Sequence, residues 1–160
     1  MSEGAGPVLI FYDGSPQSRH AIEEAGRLFP GARAVVLHVW SSLESTVAYR
    51  YSVAGLSGAL KEAMNELEAS GQKAAEAVAE EGAKVASKAG LEASAVAVEA
   101  REHAWATGVE ELESRKASVG VVGSRGLGAL RSMTLGGFSH GLVQQASRPV
   151  LVVPPPAGAT

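Results

Sequence analysis

The chain has 160 residues, of which 46% are hydrophobic and 19% are charged, a composition that fits one globular domain. Its net charge of −3 gives no basic surface for nucleic acid or an anionic membrane, and the lack of cysteine excludes disulfides, thiolate catalysis and cysteine zinc sites. The N-terminus has no basic and apolar leader, and no apolar run is long enough to span a bilayer, so we expect a cytoplasmic protein. We expect a single domain over 1–160, with its core in about 8–153 and a flexible, proline-rich tail over 154–160.

Five short apolar runs alternate with helical patterns along the chain. The predicted strands cover 8–12, 34–40, 93–98, 119–123 and 149–153. The first predicted helix starts at Ser15-Pro16, a capping pair. The other three predicted helices cover about 58–89, about 104–116 and a segment that begins near Ser139. Several of the runs are rich in Val, Ile and Leu, which is typical of strands buried on both faces. The alternation predicts right-handed crossovers and an α/β fold with a doubly wound parallel sheet.

The helical patterns also predict which side chains face the sheet. The inward residues of the first helix are Ala21, Ile22, Ala25, Leu28 and Phe29, and those of the third are Trp105, Val109 and Leu112. The second helix carries one stripe that consists of Leu60, Met64, Leu67, Gly71, Ala74, Val78, Gly82, Val85 and Ala89. Because Gly71 and Gly82 lie on that stripe, we expect both to allow close packing of the helix on the sheet.

Asp13 is the only aspartate of the chain and directly follows the first predicted strand. Ligands of open α/β sheets bind beyond the carboxyl ends of the strands, where a carboxylate can accept hydrogen bonds from ribose hydroxyls. Asp-Gly-Ser-Pro is equally a good sequence for an Asx turn and a helix cap. The residue by itself leaves both interpretations open.

A glycine-rich loop, 123–139, follows the fourth strand and leads into the fourth helix. Glycines allow backbone N–H groups to approach a ligand, and the helix N-terminus adds free donors and positive potential. With charge from Arg125 and Arg131 and the Ser139 hydroxyl, the loop is a candidate phosphate cradle. The alternative is a connecting loop without a ligand. The loop has no P-loop lysine, and its glycines follow the wrong strand for a dinucleotide fingerprint, so hydride transfer is not expected.

Three other features bear on catalysis or metal binding. Gly137-Phe138-Ser139-His140-Gly141 matches the nucleophile elbow of serine hydrolases, but no acid follows the serine and a long loop separates it from the strand. His38 lies inside a strand and is interpreted as a core histidine. The remaining histidines are scattered, so no dedicated protein metal site is expected.

Trp40 ends the second predicted strand. Its ring can lie near a nucleotide base or simply cover the sheet edge, and we favour the packing role.

Several ordered motifs resemble the universal stress protein family over about 8–153. Gly123-x-x-Gly126, nine residues and then Gly136 is similar to the ATP-binding signature of that family. The segment Tyr12-Asp13-Gly14-Ser15 resembles the family's first turn, and His38-Val39 resembles the end of its second strand. The final strand after Arg148-Pro149 is also similar.

The resemblance implies a fold, an oligomer and a site. The fold is a five-stranded parallel sheet of order 3-2-1-4-5 with helices on both faces (adenine nucleotide alpha hydrolase-like), in a homodimer paired through Val150–Val153. The ligand is ATP, with Mg²⁺ as a possible companion, held with ribose on Asp13 and adenine on the Val39 backbone. The residues implied at the nucleotide are Tyr12, Asp13, Val39, Val122, Gly123, Ser124, Arg125, Gly126, Gly136, Gly137, Phe138 and Ser139. Gly137 departs from the family pattern, which has Ser or Thr there.

The leading hypothesis is therefore an adenine-nucleotide-binding protein that acts in stress response or signalling and is not an enzyme beyond slow ATP hydrolysis. One alternative is a dimeric scaffold that binds no nucleotide or prefers AMP or a cyclic nucleotide. The other is a serine hydrolase that uses Ser139.

Overall fold

The computed structural model describes residues 5–42, 55, 57–124 and 135–158. Within these residues, five strands alternate with four helices. They are β1 (Val8–Phe11), α1 (Pro16–Leu28), β2 (Arg33–Trp40), α2 (Gly58–Lys88), β3 (Glu92–Glu99), α3 (Ala104–Ser114), β4 (Val119–Gly123), α4 (Gly137–Gln145) and β5 (Val150–Val153). The order of elements is the one that the sequence predicts, and α4 begins before the predicted Ser139. No helix in the described part of the chain combines the length and hydropathy that a bilayer crossing requires.

The strands form one parallel sheet of order β3-β2-β1-β4-β5. Ile10, in the central strand, pairs with Val36 on one side and with Val121 on the other. The predicted doubly wound fold and its strand order are therefore confirmed. The chain leaves β1 towards one edge of the sheet and returns to the opposite side of β1 through β4, so the order reverses between β1 and β4.

Two apolar clusters cover the two faces of the sheet, because successive side chains of a strand point to opposite faces. Ile10 and Tyr12 contribute to the cluster beneath α1 and α2, together with Ile22. Phe11 contributes to the cluster beneath α3 and α4, together with Leu142. All four residues of β1 are buried, which explains why the sequence of the central strand is apolar without alternation.

The cap that the sequence predicts starts α1. The Ser15 hydroxyl accepts a hydrogen bond from the Ser18 N–H at 3.1 Å, and Pro16 follows as the first helical residue. The predicted inward face is wrong at Leu28, which is 44% exposed. The buried face is centred instead on Ala25 and includes Gly26, so Leu28 lies at its margin.

The predicted stripe of α2 is wrong in its N-terminal half and only approximate in its C-terminal half. Leu60 and Leu67 are 47% and 57% exposed, and the buried residues are Ala75, Ala79, Gly82 and Ala86, of which only Gly82 belongs to the predicted stripe. Val78, Val85 and Ala89 are half-buried, whereas Ala74 is exposed. The 31 residues of α2 span about 46 Å at 1.5 Å per residue. The eight-residue strands β2 and β3 span only about 26 Å. The N-terminal half of α2 therefore has no sheet beneath it.

The two stripe glycines of α2 have different surroundings. A Cβ on Gly82 would lie 2.6 Å from Cδ1 of Tyr12 and 2.7 Å from Cγ1 of Val36, so the close packing predicted for Gly82 is confirmed. A Cβ on Gly71 would meet only the Trp40 ring, at 3.6 Å, which is ordinary van der Waals contact. The expectation that Gly71 is also required for close packing is therefore wrong.

The two glycines predict opposite effects of the same substitution. We expect Gly82→Ala to lower the free energy of unfolding by about 1–3 kcal/mol, since the added methyl overpacks the interface between α2 and the sheet. We expect Gly71→Ala to raise it by up to about 1 kcal/mol through helix propensity alone. Urea unfolding of the two variants provides the comparison, and a Gly82→Ala protein as stable as Gly71→Ala contradicts the packing.

Candidate functional site

The carboxyl ends of β1 and β4 meet at the point where the strand order reverses. Asp13 follows β1 and Ser124 follows β4. Crossovers that leave in opposite directions open a crevice between two such strand ends, which is where α/β proteins of this topology bind ligands. Asp13 and Ser124, two residues of the predicted site, therefore lie at the topological switch point of the sheet.

Asp13 forms the Asx turn that the sequence allows. Its Oδ1 accepts a hydrogen bond from the Ser15 N–H at 2.9 Å, and its own N–H donates to the Ser18 hydroxyl at 3.3 Å. Gly14 has a φ of 82°, a left-handed conformation that favours glycine. An ionised carboxylate has about four acceptor positions, and the Ser15 N–H occupies one of them.

Tyr12 has a protein partner for each of its polar groups. Its N–H donates to the Leu37 carbonyl at 2.9 Å, and its carbonyl accepts from Nδ1 of His38 at 2.8 Å. Its hydroxyl donates to Oε1 of Glu81 at 2.8 Å, and the residue is 2% exposed. Burial and the Glu81 carboxylate raise the pKa of Tyr12 to about 12. Tyr12 therefore supports the crevice from behind, on the α2 side.

The end of β2 presents backbone groups to the crevice. The His38 ring is held by the Tyr12 carbonyl, which agrees with its interpretation as a core histidine. β1 ends at Phe11, which pairs with Leu37, whereas β2 continues to Trp40. The Leu37 carbonyl points towards β1, so Val39, two residues further, directs its N–H and carbonyl to the same side, beyond the end of β1. Trp40 packs towards α2 near Gly71, as favoured from the sequence.

The Ser124 carbonyl connects the end of β4 to the start of α4. It accepts hydrogen bonds from the Gly136 N–H at 2.8 Å and from the Ser139 hydroxyl at 3.1 Å. The same hydroxyl also lies 3.1 Å from the Gly136 carbonyl. Both ends of the glycine-rich loop are therefore held together. Within that loop, Arg125, Gly126 and Arg131 lie outside the described residues.

The Ser139 hydroxyl is buried and bonded to protein, whereas phosphate binding requires a hydroxyl that faces the ligand. The residue is 2% exposed, and its single hydroxyl proton is directed at backbone carbonyls. It lies in the first turn of α4, whereas a nucleophile elbow places its serine on a strand-to-helix turn. In this structure the hydroxyl fastens the loop.

The first turn of α4 faces the end of β1. Phe138 packs edge-to-face on Phe11, with ring centroids 5.1 Å apart and an interplanar angle of 64°. The first N–H groups of a helix have no partner within it, and they give its N-terminus positive potential. Gly137 is exposed, and a Cβ at this position would meet no atom within 4 Å. Exposed main-chain donors therefore lie at the edge of the crevice to which Asp13 belongs.

The structure brings together part of the predicted set. The ends of β1, β2 and β4 and the start of α4 lie at one edge of the sheet, with the last residues of β4, Val122 and Gly123, buried beneath it. The side chain of Tyr12 and the hydroxyl of Ser139 point into the protein. The sequence did not predict the Phe11–Phe138 contact or the anchoring role of Ser124. The two aromatic residues are a signal for the first, and no sequence signal indicates the second.

Metal binding by protein side chains has no support among residues 5–42, 55, 57–124 and 135–158. No three His, Asp or Glu side chains gather there into a group that could hold a metal ion. The expectation that the protein has no dedicated metal site stays a prediction.

Comparison with known proteins identifies a family and a fold. The sequence model of the universal stress protein family matches residues 5–154. The fold is similar to that of hypothetical protein MJ0577, with 20% identity, a TM-score of 0.73, and coverage of 93% of this chain and 95% of that one. Comparison with the curated proteins gives no significant match.

Two similar structures contain nucleotides. A universal stress protein in complex with cAMP is 21% identical, with a TM-score of 0.61 and coverage of 94% of this chain and 98% of that one. The Archaeoglobus fulgidus universal stress protein in complex with dAMP is 15% identical, also with a TM-score of 0.61, and coverage is 92% and 97%. At these identities the structural likeness establishes the fold alone.

The position of the Ser139 hydroxyl predicts a modest structural effect. We expect Ser139→Ala to lower the free energy of unfolding by about 0.5–1.5 kcal/mol, because both carbonyls keep a backbone N–H partner. We also expect the variant and the parent protein to hydrolyse a p-nitrophenyl ester at the same background rate. An ester hydrolysis that disappears in Ser139→Ala contradicts this assignment and revives the hydrolase hypothesis.

The buried phenol of Tyr12 predicts a loss of stability at alkaline pH. Tyrosine in the unfolded chain titrates near pH 10.0, whereas Tyr12 in the folded protein titrates near 12. Between these values the folded state keeps a proton that the unfolded state has lost, so the free energy of unfolding falls as the pH rises. Below pH 10 this contribution is complete.

Tyr12→Phe removes the titrating group and is the matched variant. We expect its stability, measured by urea unfolding at several pH values, to fall less steeply from pH 10 to 12 than that of the parent protein. Equal slopes for the two proteins contradict the assignment.

Proposed function

Because the chain belongs to the universal stress protein family, we propose that it binds an adenine nucleotide in the crevice between the ends of β1 and β4. The observation that carries the proposal is the position of α4. Its first turn is held by the Ser124 carbonyl and by Phe11, so its main-chain donors lie beside the end of β1, the strand that Asp13 follows. A helix N-terminus at a switch point suits an anionic ligand with a sugar attached.

The phosphates bind at the start of α4 in this proposal. The N–H groups of Gly137 and Phe138 donate to phosphate oxygens, and the glycines of the preceding loop supply further amides. Arg125 and Arg131 add positive charge to this end of the crevice. Gly123 and Gly126 line the ribose and the first phosphates.

The nucleoside lies between β1 and β2. The carboxylate of Asp13, at the switch point beyond β1, accepts hydrogen bonds from the ribose hydroxyls. The backbone of Val39, which extends beyond the end of β1, binds the edge of the adenine. Two proteins of this fold were solved with cAMP and dAMP, and this supports adenine as the base.

We assign ATP as the nucleotide, with Mg²⁺ held by its phosphates. The Gly137 departure weakens this binding, because a hydroxyl bonded to a charged phosphate contributes roughly 1.5–3 kcal/mol, or about one to two decades of affinity. The Ser139 hydroxyl does not replace it, since its proton is directed at the Ser124 and Gly136 carbonyls. AMP or a cyclic nucleotide is therefore the alternative ligand.

The protein acts as a nucleotide-dependent binding protein in stress response rather than as an enzyme, because the sequence of the loop 123–139 contains no histidine, aspartate or glutamate that could serve as a general base. β5 is an edge strand with an apolar sequence, VLVV, and this supports a homodimer paired through Val150–Val153. A dimeric scaffold without nucleotide is the second candidate, and the Gly137 departure favours it.

Substitutions at Gly137 test the proposal. We expect Gly137→Ser to bind MgATP about 10–100-fold more tightly, since it restores the family's hydroxyl in open space. We expect Gly137→Asp to fold normally, because an acid at a helix N-terminus is favourable, and to lose the binding by charge repulsion. Calorimetric titration measures both affinities.

Gly137→Ala is the matched control and should bind like the parent protein. If Gly137→Asp binds MgATP as well as Gly137→Ala does, phosphate does not lie at the start of α4. If none of the four proteins binds any adenine nucleotide at millimolar concentration, the scaffold hypothesis replaces the proposal.

A further inference from the structure

Glu81, on α2, connects three elements through a single carboxylate oxygen. Its Oε1 accepts a hydrogen bond from the Tyr12 hydroxyl at 2.8 Å and lies 2.5 Å from Nη2 of Arg19. Tyr12 directly follows the central strand, and Arg19 belongs to the first turn of α1. One acidic side chain of α2 therefore holds the end of β1 and the start of α1 together.

Asp13 lies inside the segment that Glu81 holds at both ends. Tyr12 precedes it, and Arg19 donates its backbone N–H to the Ser15 carbonyl at 3.0 Å. The Ser15 N–H in turn binds the Asp13 carboxylate. The connections run from Glu81 through Tyr12, Asp13, Ser15 and Arg19 and return to Glu81, so the turn that carries Asp13 is part of a closed ring of interactions.

The hydrogen bond between Tyr12 and Glu81 is well suited to hold the end of β1 in one position. The Tyr12 ring packs so closely on Gly82 that an added Cβ would lie 2.6 Å from it, so the ring has little freedom to shift. Its raised pKa keeps the hydroxyl protonated, and therefore a donor, at every physiological pH. Glu81 itself lies on α2 and is half-exposed, and none of its contacts above reaches the crevice.

We infer that Glu81 is a positioning residue for Asp13: through its hydrogen bond to Tyr12 it sets where the Asp13 carboxylate meets a ribose. The inference rests on the proposed function, since it assumes that Asp13 binds ribose hydroxyls. It adds a residue outside the site, 68 positions along the chain, on which the affinity for ribose-containing nucleotides depends.

The test compares two nucleotides that differ only in the ribose. We expect Glu81→Ala to weaken ATP binding by roughly tenfold, which is the loss of affinity expected when one hydrogen bond to a charged group is misplaced. We expect it to change the binding of 2′,3′-dideoxy-ATP less than about twofold, because that ligand lacks the hydroxyls that Asp13 binds. A merely structural role weakens both nucleotides equally, and this result overturns the inference.

Three further variants sharpen the comparison. Glu81→Gln keeps an oxygen acceptor for Tyr12, so we expect it to retain most of the ATP affinity. Tyr12→Phe removes the hydroxyl and should reproduce the selective loss even if Glu81→Ala folds poorly. Glu80→Ala removes the same charge from a neighbouring exposed position of α2 and should bind both nucleotides normally. A Glu81→Gln protein as weak as Glu81→Ala contradicts the role of the hydrogen bond.

The Asp13→Ala variant distinguishes a failure of the positioning role from a failure of the proposed ribose contact. If Asp13→Ala weakens ATP selectively and Glu81→Ala binds ATP like the parent protein, the positioning role is wrong and the proposed function stands. If Asp13→Ala leaves the preference for ATP over dideoxy-ATP unchanged, the ribose contact is wrong, and the inference falls with it.

Discussion

The Ser124 carbonyl is the contact on which the geometry of the site depends. It lies at the end of β4 and accepts hydrogen bonds from the first residue before α4 and from a serine in its first turn. Parallel strands with crossovers in opposite directions leave a crevice at their carboxyl ends. The Ser124 contact holds the N-terminus of a helix at the end of β4, and the Phe11–Phe138 packing fixes the helix against the central strand. The position of the helix N-terminus at this site is thus set largely by main-chain groups.

Most of the fold could be predicted from the sequence because its signals are local. Apolar runs without alternation indicate strands covered on both faces, and Ser15-Pro16 indicates a helix start. The extent of burial along α2 could not be predicted in this way. Periodicity shows which side of a helix is apolar, but not where the sheet beneath it ends, and the stripe continues to Leu60 beyond the span of β2 and β3. Leu28 differs from its prediction for a similar reason, since its position at the margin of α1 is a tertiary property.

The site shows the same division between local and distant information. The Asx turn of Asp13 and the cap of Ser15 are formed with residues two or three positions away, and both follow from the sequence. The Ser139 hydroxyl has one local partner, the Gly136 carbonyl. Its other partner, Ser124, and the partner of the Tyr12 hydroxyl, Glu81, lie 15 and 69 residues away. No spacing rule connects them, so the sequence assigns Ser139 to the ligand whereas the structure directs its proton to the protein. A contact such as Glu81 with Tyr12 can be found only once the elements are packed.

Nucleotide binding at this site depends on main-chain donors at the start of α4 that meet an anion. The most direct measurement follows the backbone amide resonances of the ¹⁵N-labelled protein by NMR during titration with MgATP. We expect the Gly137 and Phe138 signals to shift and saturate with a single affinity, while those of Gly31 and Gly90, which precede β2 and β3 at the opposite end of the strands, stay unchanged. Saturable binding that leaves the Gly137 and Phe138 signals in place would contradict it.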